Sequence, residues 1–213
     1  MAQDIKLVLI GGGSASGKTF ITTEALKRLN DPSDFLLLPL DDYYKDLSDM
    51  SLAERKKQNF DSPDAFDWPL LRKQMKDLKR GIPIDKPVYD FNQSTRSEKI
   101  EHIEPKKVII LEGIMALESH TLRNMADLKI FVDASPERRI IRRLVRDSTE
   151  RDNRSHDEII AQYFDTVKPM NDLYIEPQKV FSDAILYNEG TEASESKAIN
   201  LLTTLLKSLV SSK

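Results

Sequence analysis

The sequence predicts an α/β fold, a doubly wound parallel sheet flanked by helices, with a small β excursion and an arginine-rich lid. Two observations carry the prediction. Short apolar runs of strand length alternate with helical stretches along the whole chain, the pattern of a parallel sheet with crossover helices. The first run, Leu7-Val8-Leu9-Ile10, is apolar at every position, as a strand covered on both faces is, and it opens into a glycine-rich loop followed by a helix.

Strands are expected at 5–10, 35–40, 107–111, 128–133 and 183–187. Pro39 weakens the second of these as an inner strand, because proline cannot donate to a ladder. Helices are expected at 18–29, 51–58, 69–80, 136–150, 156–167 and 192–210. Ser51 with Glu54, and Ser155 with Glu158, match a capping box. Pro69 and Pro136 suit a first helical turn, and Gly81 suits a helix C-terminus. The stretch 82–104 carries β-favouring segments such as Pro87-Val88-Tyr89 and reads as a β excursion from the sheet.

A chain of 213 residues suits one domain, 1–213, with the excursion at about 82–104 and a polar lid at about 147–155. Hydrophobic residues at 39% allow a buried core, and a net charge of −3 argues against bulk nucleic-acid binding. The absence of cysteine excludes thiol catalysis, disulfides and cysteine metal sites. The first residues have no signal-peptide pattern, and no apolar run approaches membrane-spanning length, so a cytoplasmic protein with no membrane partner is expected. His102, His120 and His156 lie far apart without metal spacing and read as surface residues, while Phe66 and Trp68 read as core anchors.

The chemistry is concentrated in four places. Gly12 to Thr19 fits G-x-x-x-x-G-K-[ST], the phosphate-binding P-loop, with Gly13, Ser14, Ala15, Ser16 and Gly17 forming the cradle. In this motif backbone N–H groups face a triphosphate, Lys18 reaches the β/γ-phosphates and the Thr19 hydroxyl binds Mg²⁺. Next, Asp41-Asp42 follows the second strand, where an acid can accept a proton from a substrate hydroxyl or simply cap a turn. Glu112 ends the strand 107–111 and reads as the acid that helps Thr19 hold the metal. Finally, Arg139, Arg142, Arg143 and Arg146 form a basic stripe on the helix 136–150, opposed by an apolar face of Ile140, Ile141, Leu144 and Val145, with Arg151 and Arg154 beyond it. Such arginines can clamp transferring phosphates.

These blocks, in this order, resemble the uridine kinase (uridine–cytidine kinase) family, within the phosphoribulokinase/uridine kinase group of P-loop kinases. The resemblance covers roughly residues 5–190. It also rests on Asp41-Asp42-Tyr43-Tyr44, Asn59 to Asp67, Pro87 to Phe91, Leu111 to Ile114, Phe131 to Asp133, Arg142 to Asp147, and Gln162-Tyr163 ahead of Val167-Lys168-Pro169. It implies ATP-dependent phosphorylation, with GTP as a possible replacement donor, of a ribonucleoside 5′-hydroxyl in pyrimidine salvage. It implies Asp41 as catalytic base, Asp61 and Arg143 on the ribose hydroxyls, and Phe60 and Tyr89 near the base. Arg146, Arg151 and Arg154 would meet the ATP phosphates, and Gln162 would lie on the substrate side. The resemblance further implies a homo-oligomer, typically a tetramer. The family pattern Y-[DS]-[FY]-x-x-H-[ST]-R reads here Tyr89-Asp90-Phe91-Asn92-Gln93-Ser94-Thr95-Arg96, so Ser94 stands where a histidine reads the pyrimidine edge. The family's E-R-G-R reads Glu150-Arg151-Asp152-Asn153-Arg154, without the glycine and one residue longer. Two alternatives stay open on the residues alone: a related kinase acting on another small hydroxylated metabolite, such as a sugar phosphate or a pantothenate-like alcohol, and a non-catalytic P-loop switch. The GTPase signatures D-x-x-G and N-K-x-D are absent.

Overall fold

The computed structural model describes residues 4–149 and 155–211. Five parallel strands form the main sheet: β1 (Lys6–Gly11), β2 (Phe35–Pro39), β5 (Val108–Glu112), β6 (Leu128–Asp133) and β7 (Ala184–Tyr187), in the order β2-β5-β1-β6-β7. All five lie where the apolar runs predict them. Pro39 is tolerated because β2 is an edge strand and Pro39 is its last residue.

β1 is paired on both sides, and its side chains divide between two cores. Leu7 and Leu9 join one with α3 (Trp68–Lys79) and α4 (His120–Met125), where Leu71, Met75, Leu78 and Leu122 are buried. Val8 and Ile10 join the other with α1 (Lys18–Lys27) and α8 (Glu192–Ser211), through Ile21, Ala25, Ile199, Leu202 and Leu206. Each such side chain is worth roughly 1.5–3 kcal/mol when fully buried. β1, like its neighbour β5, therefore accepts a polar residue poorly, and it carries the loop after it rigidly.

The excursion is an antiparallel hairpin, β3 (Ile84–Asp90) and β4 (Thr95–Ile103), with an irregularity between Pro87 and Tyr89. It is tied down through a buried relay: Tyr43 Oη donates to Gln74 Oε1 at 2.8 Å, and Gln74 Nε2 donates to the Asp85 carbonyl at 2.8 Å. Both capping boxes form, at α2 (Leu52–Arg55) and at α6 (His156–Gln162). At the end of α3, the N–H of Gly81 meets the Leu78 carbonyl and the N–H of Ile82 meets that of Asp77.

Two expectations need correction. The short helix α4 has no counterpart among the helices the sequence predicts. The helix expected at 156–167 runs further: α6 continues through a π-helical turn (Tyr163–Val167), α7 (Lys168–Met170), a second π-helical turn (Asn171–Ile175) and a 3-10 turn (Glu176–Phe181). Pro169 and Pro177 are each preceded by one of the π-helical turns, whose wider ladder accommodates a residue without an N–H. The helix α5 (Pro136–Thr149) shows which of its two stripes packs. Its arginine side faces inward, with Arg139, Arg143 and Asp147 buried, while Ile141 and Val145 are more than half exposed. The apolar stripe is not what packs this helix.

Candidate active site

One cleft of about 1220 Å³ opens at the carboxyl ends of β1, β2 and β5. It gathers Ser14, Ala15, Gly17, Lys18 and Thr19 with Asp41, Phe60, Asp61, Tyr89, Ser94, Glu112, Arg143, Arg146 and Gln162. Residues that lie up to about 150 positions apart in the chain thus share one wall-to-wall space. Gly12, Gly13 and Ser16 complete the loop beneath it. Arg151 and Arg154 lie outside the described residues, as does most of the expected lid. Asp147 belongs to the buried face of α5, and Ser155 caps α6.

The phosphate loop leaves β1 at Gly11 and enters α1 at Lys18. Gly12 has φ +143°, and a Cβ there would meet the Val132 carbonyl oxygen at 2.2 Å. Gly17 has φ +90°, and a Cβ there would meet Asn188 Nδ2 at 2.2 Å. Both positions exclude a side chain, so the backbone itself forms the cradle. Lys18 folds over the loop, with Nζ donating to the carbonyls of Gly12 and Gly13, each at 3.0 Å. Burial lowers its pKa to about 8, against the opposing charges of Glu112 and Asp41.

Glu112 ends β5 and is buried. Its Oε1 accepts from Thr19 Oγ1 at 2.5 Å, and its buried Oε2 has no hydrogen-bond partner among the described residues. Burial raises its pKa, opposed by the Thr19 hydroxyl and the Lys18 charge. A buried carboxylate oxygen without a donor, beside a hydroxyl at a phosphate loop, suits a hard divalent cation completed by nucleotide oxygens. Among the described residues no three His, Cys, Asp or Glu side chains cluster as an all-protein metal site.

Asp41 lies in the 3-10 turn Leu40–Tyr43 that follows β2 and lines the cleft. Its charge raises the pKa of Asp61 and Glu112 and that of Lys18, which places it amid the group. Asp61 is buried, and desolvation raises its pKa against the pull of the Arg143 guanidinium.

The arginine stripe divides its duties. Arg143 donates from Nη1 to Ser14 Oγ at 3.0 Å and from Nη2 to Gln162 Oε1 at 2.9 Å, bringing loop, α5 and α6 together. Asp147 forms an ion pair with Arg143, Nε to Oδ2 at 3.2 Å, and accepts a hydrogen bond from Arg146 Nε at 2.7 Å. Arg142 reaches the carbonyls of Ala15 and Ser16 and the side chain of Asn188. Arg139 instead turns behind the loop to Asn171 Oδ1 at 2.7 Å. This inward traffic explains why the helix packs on its charged side.

Aromatic rings also line the cleft, those of Tyr44, Phe60, Tyr89 and Phe91. Tyr44 stacks on Phe66 at 4.5 Å and meets Phe60 at 5.3 Å and Tyr89 at 5.1 Å, and Tyr89 meets Phe91 at 5.2 Å. Phe66 is core, as expected, and Trp68 Nε1 donates to the Pro63 carbonyl at 2.8 Å. Ser94 is buried at the hairpin tip with φ +49°. Tyr44 and Phe91 line the cleft without being among the expected site residues, and Asn92, a candidate from the sequence to substitute for the absent histidine, lines it too. Tyr44 belongs to the run Asp41-Asp42-Tyr43-Tyr44 that carries the family resemblance, which is the signal the sequence offers for it. The three histidines are exposed, as expected.

The profile of the Phosphoribulokinase / Uridine kinase family matches residues 7–194. A protein named uridine kinase from Staphylococcus haemolyticus is 47% identical over 205 residues, covering 96% of this chain and 97% of that one. Another, from Lactobacillus johnsonii, is 46% identical over 205 residues, covering 96% and 95%. Among solved structures, phosphoribulokinase from Rhodobacter spheroides superposes with a TM-score of 0.64 at 15% identity, over 87% of this chain and 71% of that chain, a likeness of fold.

Proposed function

The chain belongs to the Phosphoribulokinase / Uridine kinase family, and from that membership we propose that it is an ATP-dependent kinase that phosphorylates the 5′-hydroxyl of uridine or cytidine. The observation that carries the reading is the single cleft that gathers Lys18, Thr19 and Glu112 with Asp41, Asp61 and the rings of Tyr44, Phe60 and Tyr89, Asp41 lying within electrostatic reach of Lys18, Glu112 and Asp61. A phosphate donor and a hydroxylated, flat acceptor are thereby brought face to face.

In this mechanism the loop backbone and Lys18 bind the donor's phosphates. Thr19 and Glu112 would hold the Mg²⁺ that neutralises phosphate oxygens. Asp41 orients the acceptor hydroxyl and takes its proton, Asp61 and Arg143 hold the ribose hydroxyls, and Phe60 and Tyr89 cover the base. Arg146, with Arg151 and Arg154, steadies charge on the transferring group. Acceptor atoms held in line with the phosphoryl group gain most of their rate from positioning. A homo-oligomeric, cytoplasmic enzyme with no nucleic-acid partner completes the reading. Among the described residues no helix is long and apolar enough to cross a membrane.

The test is a panel of ribonucleosides, deoxynucleosides, sugar phosphates and pantothenate with ATP or GTP, scored for acceptor-dependent nucleoside diphosphate release and for the position of the new phosphate by ³¹P NMR. Uridine or cytidine giving a 5′-monophosphate is expected. Turnover confined to a non-nucleoside acceptor overturns the assignment.

A further inference from the structure

We infer that Asp42 and Lys86 form a positioning pair that locks the acceptor-side hairpin to the turn bearing Asp41. The inference rests on the acceptor reading above and names residues that reading does not use. Asp41 and Asp42 are neighbours, yet they serve different surfaces. Asp41 lines the cleft, whereas Asp42 is turned toward β3. Its Oδ1 accepts from the Tyr89 backbone N–H at 3.2 Å, and its Oδ2 accepts from Lys86 Nζ. The Lys86 side chain is only 5% exposed and that of Asp42 14%, so this is a buried pair rather than a surface one.

Three features make the pair a clamp. Lys86 reaches Glu101 Oε2 at 3.1 Å on its other side, and Glu101 is its register partner on β4, so both hairpin strands are gripped. The Tyr89 contact falls just past the irregularity between Pro87 and Tyr89, where regular pairing no longer sets the strand. Tyr89 then projects its ring among Tyr44, Phe60 and Phe91 at the acceptor end. A carboxylate that fixes the Tyr89 backbone therefore fixes the ring, and it does so from the residue next to the proposed base. A buried charge pair is sensitive to removal of one partner, because the other charge is left stranded.

The pair acts through Tyr89, so its loss should appear as weakened acceptor binding. Asp42→Asn keeps an acceptor for the Tyr89 N–H but removes the charge facing Lys86, and Lys86→Gln removes the opposite charge. The double variant strands no buried charge, since the Glu101 carboxylate is half exposed, and it can restore an amide–amide hydrogen bond, which also guards against singles that fail to fold. Each single is expected to raise the nucleoside KM roughly tenfold, the size of one lost charge-assisted hydrogen bond. The KM for ATP and kcat should stay within about twofold of the wild type. The double variant should lie between wild type and the singles, showing coupling. An unchanged nucleoside KM, an ATP KM that rises in step, or a kcat loss matching that of Asp41→Asn overturns the inference, as does a double variant equal to the sum of the singles. A wild type inactive on every ribonucleoside overturns the acceptor reading instead. In that case amide hydrogen exchange over 84–95 decides the pair: faster exchange in Asp42→Asn than in the wild type, with β1 unchanged, supports it, and equal exchange overturns it.

Discussion

Thr19 Oγ1 donates to Glu112 Oε1 at 2.5 Å, so the first turn of α1 and the end of β5 meet across 93 residues of sequence. Two short stretches, each unremarkable in composition, become one polar corner beside Lys18. Glu112→Gln should raise the Mg²⁺ concentration needed for half-maximal turnover and lower kcat, and Thr19→Ala should do so more mildly because the carboxylate remains. Titration of activity against Mg²⁺ at fixed ATP reads both. Identical Mg²⁺ curves for wild type and both variants would remove the pair from the metal site.

Lys18→Ala should abolish most transfer, by about 10² or more, since one preorganised charge facing the reacting group is worth that much. Its pKa gives a second, independent readout. The folded value of about 8 lies below the 10.5 of a free lysine side chain. Between these two pH values the unfolded chain binds more protons at this site than the folded one, so stability rises with pH there. Below pH 8 both states are protonated and the cost of burying the charge is fully felt. Denaturant unfolding of wild type and Lys18→Met from pH 7 to 10 should show the wild type gaining on the variant as pH rises. A difference that is flat across that range would show that Lys18 is not buried as described.

Asp41→Asn should lower kcat by about 10²–10⁴, the usual worth of a general base, and leave ATP affinity near that of the wild type. Asp42→Asn should leave kcat nearly intact and act on the nucleoside KM. Steady-state kinetics on both variants separates two adjacent aspartates that face different surfaces. Equal kcat losses would defeat the division of labour between them.

Asp61 and Arg143 are both buried in the cleft. A site built to bind hydroxyls leaves buried polar groups unpaired when the hydroxyl is missing, so 2′-deoxynucleosides should be poor acceptors. Ser94 is shorter than the histidine of the family pattern. One absent hydrogen bond to a neutral partner is worth about 0.5–1.5 kcal/mol, or roughly two- to tenfold in affinity. Ser94→His should therefore raise kcat/KM for uridine or cytidine by that factor. The substitution must also tolerate φ +49°, which histidine does better than a β-branched residue. Deoxyuridine turned over as fast as uridine would sink the ribose assignment.

Much of this protein was legible without coordinates, and the reasons are local. The inner strands β1 and β5 announce themselves because strands covered on both faces are almost wholly apolar, as Leu7 to Ile10 and Val108 to Leu111 are, and the edge strands still read as short apolar runs. The phosphate loop is legible because Gly12 and Gly17 occupy positions where any Cβ would collide. The capping boxes at Ser51 and Ser155 are four-residue events. By itself, then, the sequence determined the α/β class, the loop, and which acids and arginines were available.

Tertiary structure decided what those groups face. Periodicity on α5 marks two stripes, one basic and one apolar, and an apolar stripe is ordinarily the buried one. Here Arg139, Arg142 and Arg143 find Asn171, the carbonyls of Ala15 and Ser16, and Ser14, all on distant segments, and these partners turn the charged stripe inward. Asp41 and Asp42 are likewise indistinguishable as residue types. Their surroundings separate because β3 passes Asp42 and offers it the Tyr89 N–H and the Lys86 ammonium, while Asp41 lines the cleft. A side chain's chemistry is carried by its own atoms, but its orientation depends on desolvation and hydrogen-bond partners contributed from elsewhere in the chain.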